Sequence, residues 1–247
     1  MKHFLDLRLI TINHVNERSL MESPPRMVIR PIPFDTQDSD AAAPVRPRES
    51  EILDSIRQTF AEKGFDGASM QELARAAGMS VGNFYRYFPS KAAMVAAIIT
   101  RDLEEVGQKF TDVVAAEDPL AALREGLHMR VAEECCGVED ASLWAEITAA
   151  AQRKPEIGNV VQHMERGITS YLVEAFALIA GMSRDEAEHR FLPHAAMVVM
   201  LVKTTSIQAH GPSAQCKLLR DDLTALVQRL IDMILDEVAA ARPKEPK

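Results

Sequence analysis

Cysteine is almost missing from this chain of 247 residues: there are three, two of them adjacent at Cys135 and Cys136 and the third at Cys216. No disulfide framework and no CxxC metal knuckle can be built from that set, so a reducing compartment, the cytoplasm, is the expected location. Adjacent cysteines on a helix point to different sides; buried small hydrophobes are the expected role, with oxidant sensing as the alternative. Glycine is scarce at 11 and aromatics make up 5%, a shortage that argues against an all-β fold, and a hydrophobic content of 47% argues against disorder. Long apolar runs are missing too. The longest, Phe191 to Val202, contains Pro193 and His194 and falls short of the roughly 20 residues of a membrane span. The opening MKHFLDLRLITINHVN is broken by Asp6 and Arg8 and has no signal-peptide core, so no membrane partner is expected.

Catalytic and cofactor signatures are equally scarce. No HExxH, GxSxG, P-loop or GxGxxG occurs, and His189 and His194 are five apart, off the spacing by which one helical face shares a metal. No metal, no cofactor and no enzymatic activity are expected. Positive charge is not in excess either: 28 Lys+Arg stand against 36 Asp+Glu, a net charge of −8. Its distribution is uneven. Residues 1–45 carry 5 basic and 6 acidic side chains, 93–247 carry 16 and 24, and only 46–92, with 7 and 6, are net positive, so any DNA contact is expected there.

What the chain does have is Ala, Leu, Glu, Arg and Met at helical spacing. The length allows one to two domains. Residues 1–48 hold Pro24, Pro25, Pro31, Pro33, Pro44 and Pro47 and a polar DTQDSDAAAP run, which reads as a flexible arm; Met21 and Met27 within it are further candidate starts of translation. From Glu49 a helix buries Ile52, Ile56, Thr59 and Phe60 and closes at Gly64. Ser69 and Glu72 form a capping box for a two-turn helix with Leu73, Ala74 and Ala77 inside and Gly78 as its stop. Ser80 caps a third short helix, VGNFYRYF, ended by Pro89, and Ser90 starts a long one from Lys91 to about Phe110. Beyond it, helices are expected over Pro119 to Cys135, Asp140 to Lys154, Pro155 to Ala180, Arg184 to His210 and Ala214 to Ala241, with Asp118, Gly181, a second capping box at Ser183 and Glu186, and Gly211 and Pro212 as punctuation. There is no internal repeat.

Helices two and three, joined by a three-residue turn with small Ala74 at the crossing, make a helix-turn-helix whose second helix can lie in a major groove. Phe84 and Phe88 anchor it, and Asn83, Tyr85, Arg86 and Tyr87 face outward, with Lys91 at the next helix start. The stretch GFDGASMQELARAAGMSVGNFYRYFPSKAAMVAAI, residues 64–98, resembles the signature of TetR-family transcriptional regulators: Gly and an aromatic, a capping Ser, an Ala-Gly turn, small-Gly-x-x-Tyr-x-aromatic-Phe, then Ser-Lys.

That resemblance implies an all-α fold, with a three-helix DNA-binding domain at 49–92 and a larger helical ligand-binding and dimerisation domain at 93–247. It implies operator DNA, a small organic ligand and a second copy of the chain as partners, and a repressor released from its operator by the ligand. By position, Ser69 would cap helix two at a phosphate and Gln71 would approach a base edge. Ser80, Val81, Gly82, Asn83, Tyr85 and Arg86 would face the groove, and Tyr87 and Lys91 would grip phosphates. Gln71, Asn83 and Arg86 are the specificity candidates, because amides pair with adenine and Arg with guanine. Val81 departs from the polar residue often found there and offers only apolar contact. Tyr85 and Tyr87 as packing residues, Arg86 as a solvated charge, and Arg46 and Arg48 as a minor-groove arm or mere linker charges remain open. A helical scaffold without DNA binding and an all-helical enzyme are the alternatives.

In the second domain, Trp144, Met129, Met164 and Tyr171, with His128, Glu146 and His163 as polar groups, are the candidate lining of an apolar ligand pocket; a plain packed core is the competing reading. The last helix shows two stripes, Leu219, Leu223, Leu226, Leu230 and Ile234 beside Val227, Ile231, Leu235 and Val238. That is too wide for one partner helix, so one stripe is expected to face home and the other a second subunit.

Overall fold

The computed structural model describes the backbone of residues 47–136, 138–208 and 214–243, and side chains over 50–132, 142–205 and 222–243. Residues 1–46 of the expected arm, Arg46 included, and the side chains of Arg48, Cys135, Cys136, Cys216 and Leu219 lie outside the described residues, and the first helix begins at Pro47, two residues before the expected Glu49. The described residues hold nine helices and no strand: α1 Pro47–Lys63, α2 Met70–Ala76, α3 Val81–Tyr87, α4 Lys91–Ala115, α5 Pro119–Cys136, α6 Val138–Arg153, α7 Pro155–Ala180, α8 Arg184–Gln208 and α9 Ala214–Ala240. The all-α expectation holds.

The ends are set by local chemistry. Gly64 takes φ +74 after α1, a left-handed conformation that costs a residue with a Cβ about 1–2 kcal/mol, and its N–H bonds to the Phe60 carbonyl at 2.9 Å. Both expected capping boxes form: Ser69 and Ser183 each accept from, and donate to, the glutamate three residues on. Ser90 Oγ accepts the Ala93 N–H at 3.1 Å and Asp118 Oδ1 that of Ala121 at 3.0 Å, starting α4 and α5. The α4 helix continues five residues past the expected Phe110, because Val113, one turn on, still packs against the core. Pro193 sits within α8 without ending it, as the expected run already implied.

Two apolar cores divide the molecule. The first gathers Leu53, Ile56 and Phe60 of α1, Leu73 and Ala74 of α2, Phe84 of α3 and Met94 and Ile98 of α4, together with Leu143, Ile147 and Ala150 of α6 and Ile157 and Val160 of α7. The second joins Leu103 and Phe110 of α4, Leu123 of α5, Tyr171 and Phe176 of α7, Phe191 of α8 and Val227, Ile231 and Leu235 of α9. The two long helices α4 and α7 run through both. They approach closely: a Cβ on Gly167 would lie 2.9 Å from Leu103 Cδ2, so a side chain there would force Leu103 to shift. The packing of the three-helix head therefore does not stop at residue 92; α6 and the start of α7 complete it. Ion pairs reinforce the junction of α1 and α4. Arg57 Nη1 lies 2.9 Å from Asp102 Oδ1, and Arg101 Nη1 lies 2.8 Å from Asp54 Oδ1. Burial pushes the Asp102 carboxyl up, against the pull of Arg57 and Arg101.

Candidate nucleic-acid interface

The α3 helix has seven residues, too few to be stable alone, so its position depends on what it buries. Phe84 at 0% exposure and Phe88 at 4% lock it to the first core, their rings 5.5 Å apart. Truncating a buried phenylalanine of this kind costs about 3–5 kcal/mol. The remaining surface is turned outward: Gly82, Asn83 and Arg86 are exposed, as are Val81 at 38%, Tyr85 at 46% and Tyr87 at 53%. The open question over the two tyrosines is answered by those values, since neither is a core residue.

Gly82 is informative. It is helical, and a Cβ built on it would meet nothing within 4 Å. Glycine costs a helix about 0.5–1 kcal/mol relative to alanine, and nothing inside this chain requires it there. The backbone of α3 is thus bared on the side where Asn83, Arg86 and Tyr85 stand, an arrangement that admits another molecule close to the main chain.

Ser80 has the extended dihedrals of an N-cap, φ −68 and ψ 144, but makes no capping bond, contrary to the expectation that its side chain caps α3; its exposed hydroxyl is left to the outer surface. Ser69 is the reverse case. Its hydroxyl is committed to Glu72 within the capping box, and Glu72 is ion-paired with Lys63. Lys63, with the backbone and hydroxyl of Ser69, holds the Glu72 carboxyl down to about 2, so an anion stands at the start of α2 where a phosphate was expected. Gln71 is exposed as expected, and Arg75, four residues on, is exposed too; the sequence reading passed over Arg75, although the i, i+4 spacing placed it on the face of Gln71. Lys91 is engaged inward. Its Nζ donates to the carbonyls of Phe65 at 2.8 Å and Asp66 at 3.1 Å and lies 5.4 Å from the centroid of the Phe65 ring, and burial lowers the pKa of its ammonium.

The seven candidate ligand residues are not brought together. Trp144 and Met164 pack against the first core, and Tyr171 is buried in the second, its ring 5.6 Å from that of Phe110. Glu146 serves as a fastener: its Oε2 accepts the Phe65 N–H at 3.1 Å across 81 positions of sequence. His128 contacts α9, its Nε2 2.9 Å from Asp232 Oδ1, beside the ion pairs of Arg124 with Asp232 and Asp236. Met129 is 54% exposed, and His163 is half-buried, its pKa lowered by burial and by Arg166. A different opening, of about 620 Å³, lies between α7 and α8, with Arg166, Arg184, Glu165 and Glu188 at its polar walls and Val173 and Leu192 as apolar ones. None of the seven lines it.

On α9 the inward stripe is Val227, Ile231, Leu235 and Val238, all buried. Leu223 and Ile234, expected on the outer stripe, are half-buried against the second core, because at about 3.6 residues per turn they stand between the buried stripe and Leu226 and Leu230. The outer stripe is instead Leu226 at 45%, Leu230 at 37% and Met233 at 67% exposure, with Met197 and Met200 of α8 also exposed. Among the described residues no helix is long and apolar enough to cross a membrane, and no cluster of three or more His, Cys, Asp or Glu could hold a metal.

Residues 52–98 match the family described as bacterial regulatory proteins, tetR family. The HTH-type transcriptional regulator UidR of Escherichia coli K12 is 27% identical over 129 residues, 52% of this chain and 64% of that protein. The HTH-type transcriptional repressor KstR of Mycobacterium tuberculosis is 30% identical over 112 residues, 44% of this chain and 50% of that one. Among solved structures, Salmonella enterica GusR superposes with a TM-score of 0.51 at 28% identity, covering 74% of this chain and 96% of its own. The matches to UidR and KstR thus span less than two thirds of those relatives. With the exposed α3 set on a three-helix head and a helical body behind it, residues 52–98 match the tetR family of bacterial regulatory proteins, which the head of this chain resembles in sequence and fold.

Proposed function

We propose that this protein is a homodimeric transcriptional repressor of the cytoplasm, not an enzyme, that binds operator DNA through residues 49–92 and is released when a small organic molecule binds its body. The observation that carries this reading is α3, which buries Phe84 and Phe88 and exposes every other side chain around a bared Gly82. Asn83 and Arg86 read base edges, by amide pairing with adenine and guanidinium pairing with guanine; Tyr85, Tyr87 and Ser80 meet the backbone, and Val81 a thymine methyl. Gln71, with Arg75 on the same face of α2, adds contacts beside them. Ser69 acts by holding α2 in its capping box, and Lys91 by bracing the loop between α1 and α2.

Dimerisation is assigned to the outward stripes of α8 and α9, centred on Leu226, Leu230 and Met233, which pair two helices from each subunit and set the two α3 helices at one spacing. Half-sites one helical turn apart, about 34–36 Å, accept only one such spacing. The small molecule is assigned to the groove between α7 and α8, whose walls combine charge with apolar surface. Coupling to the head has a material basis, because α6 and α7 share the first core with α1 and α4, so a shift of α7 moves the head; a coupling free energy of about 1–3 kcal/mol is typical.

The reading is tested by salt-dependent binding of the purified protein to fragments of its own genome. Arg86→Ala and Asn83→Ala each weaken binding to the selected operator by about 1–3 kcal/mol and relax the preference at particular bases. Undiminished operator affinity in both variants would remove the assignment, and the helical scaffold would then be the better reading.

A further inference from the structure

We infer that the body also touches DNA: Arg153 and Lys154, at the turn between α6 and α7, form a cationic edge beside the inward-turned Lys91 that binds the phosphate backbone next to the half-site, an inference that rests on the DNA-binding reading above. The Phe65 ring carries an ammonium on either count, Lys91 Nζ at 5.4 Å from its centroid and Lys154 Nζ at 5.6 Å, so the two charges lie within about 11 Å of each other. Lys91 follows the last residue of α3 by four positions, at most about 14 Å of chain. The edge therefore lies close to the recognition helix, and duplex DNA presents one phosphate charge per about 1.7 Å of its axis.

The edge is open to solvent, with the Arg153 side chain at 56% exposure and that of Lys154 at 35%. Two carboxylates offset it in part, Asp66 and Glu146, the latter held on the Phe65 N–H. Asp66 lies 3.0 Å from Lys154 Nζ and 3.1 Å from Arg153 Nη2, and these two cations, Lys154 first, pull its carboxyl below the usual range. Three cations, Lys91, Arg153 and Lys154, against these two acids leave a positive excess, in a body where 16 basic residues are outnumbered by 24 acidic ones over 93–247. A phosphate would meet that excess without displacing the protein's own packing, since the charges are at the surface. A turn that moved with α6 and α7 would carry part of the DNA contact with it.

The competing account is that Asp66, Arg153 and Lys154 only fasten head to body. The two accounts are separated by the binding of the full-length protein to a random-sequence 30-base-pair duplex, followed by fluorescence anisotropy between 50 and 200 mM salt. If the inference holds, Arg153→Gln with Lys154→Gln lowers the slope of log affinity against log salt by about 1.8, at about 0.9 per lost phosphate contact, and Asp66→Asn tightens binding several-fold. An unchanged slope in the double variant, with its thermal midpoint retained, overturns the inference, as does weaker binding by a folded Asp66→Asn. A wild-type protein that binds no duplex overturns the function reading and this inference together, whereas a wild-type protein that binds and a double variant that matches it sink the inference alone.

Discussion

Replacing Gly82 with alanine should make the protein more stable and less able to bind DNA. The added methyl meets nothing within 4 Å in the folded chain, so there is no overpacking to set against the gain. Alanine is favoured over glycine in a helix by about 0.5–1 kcal/mol, and the lower figure applies because Gly82 is the second residue of α3 and its backbone is only partly committed to the helix. For a chain of this length, about 0.5 kcal/mol raises the thermal midpoint by about 1–2 °C. On the outer side the same methyl enters the space where the DNA backbone or a base edge approaches Gly82, flanked by Asn83 and Arg86. Steric insertion of one methyl into a close-packed contact costs about 1–3 kcal/mol, a loss of about 5- to 150-fold in operator affinity. The assay is a pair of measurements on one preparation, thermal unfolding by circular dichroism and operator binding by anisotropy at fixed salt. Opposite signs are expected. A variant that binds the operator as tightly as wild type would refute the reasoning, because the bared backbone would then face nothing; a lowered midpoint would show that the glycine serves the fold after all.

Four further outcomes are expected. Leu226→Glu or Leu230→Glu places a charge on the outward stripe of α9 and should give a folded monomer in sedimentation velocity that loses operator binding, while a wild-type monomer at micromolar concentration would end the dimer assignment. Glu146→Ala strips a carboxylate from the Phe65 N–H and should cost about 1–3 kcal/mol in urea unfolding. Gly64→Ala should be costly both through its φ of +74 and because the new Cβ falls 2.8 Å from Glu146 Oε2, so the double variant should lose less than the sum; strict additivity would deny the contact. In acid, the folded Glu72 carboxyl near 2 against an ordinary 4.5 means that its contribution is present above about pH 4.5 and is lost as the pH falls towards 2; the stability difference between wild type and Glu72→Gln should close across that window, and a constant difference would refute the capping role.

The helices, the caps other than that of Ser80, and the two faces of α3 were legible from sequence because each depends on neighbours a few positions away. Ser69 and Glu72, Ser183 and Glu186, Asp118 before α5, and the turns at Gly64 and Gly181 are i to i+3 or single-residue effects, and all appear where their spacing put them. The two faces of α3 follow from Phe84 and Phe88 lying four apart, and the buried stripe of α9 from Val227, Ile231, Leu235 and Val238. Where the outer stripe lay was less legible: Leu223 and Ile234 follow the same three- and four-residue spacing as Leu226 and Leu230, and only the packing of α9 against the second core shows that they face home.

What the sequence by itself determined is therefore the all-α class, the helix-turn-helix and its outward residues, since helical periodicity and capping are local. Only the tertiary structure decided how those helices are joined. Glu146 reaches Phe65 across 81 positions, His128 and Arg124 reach Asp232 across 104 and 108, and Arg153 reaches Asp66 across 87. No spacing rule spans such distances. A tryptophan, a tyrosine and a glutamate that look like the walls of one pocket were shared between two cores and a loop, because partner choice at long range is set by which faces the whole chain can bury together, and each residue's chemistry is compatible with several partners. Lys91 shows the same limit at shorter range: its position at the start of α4 was readable, but the direction of its ammonium was settled by the carbonyls of Phe65 and Asp66 that the fold brought within reach.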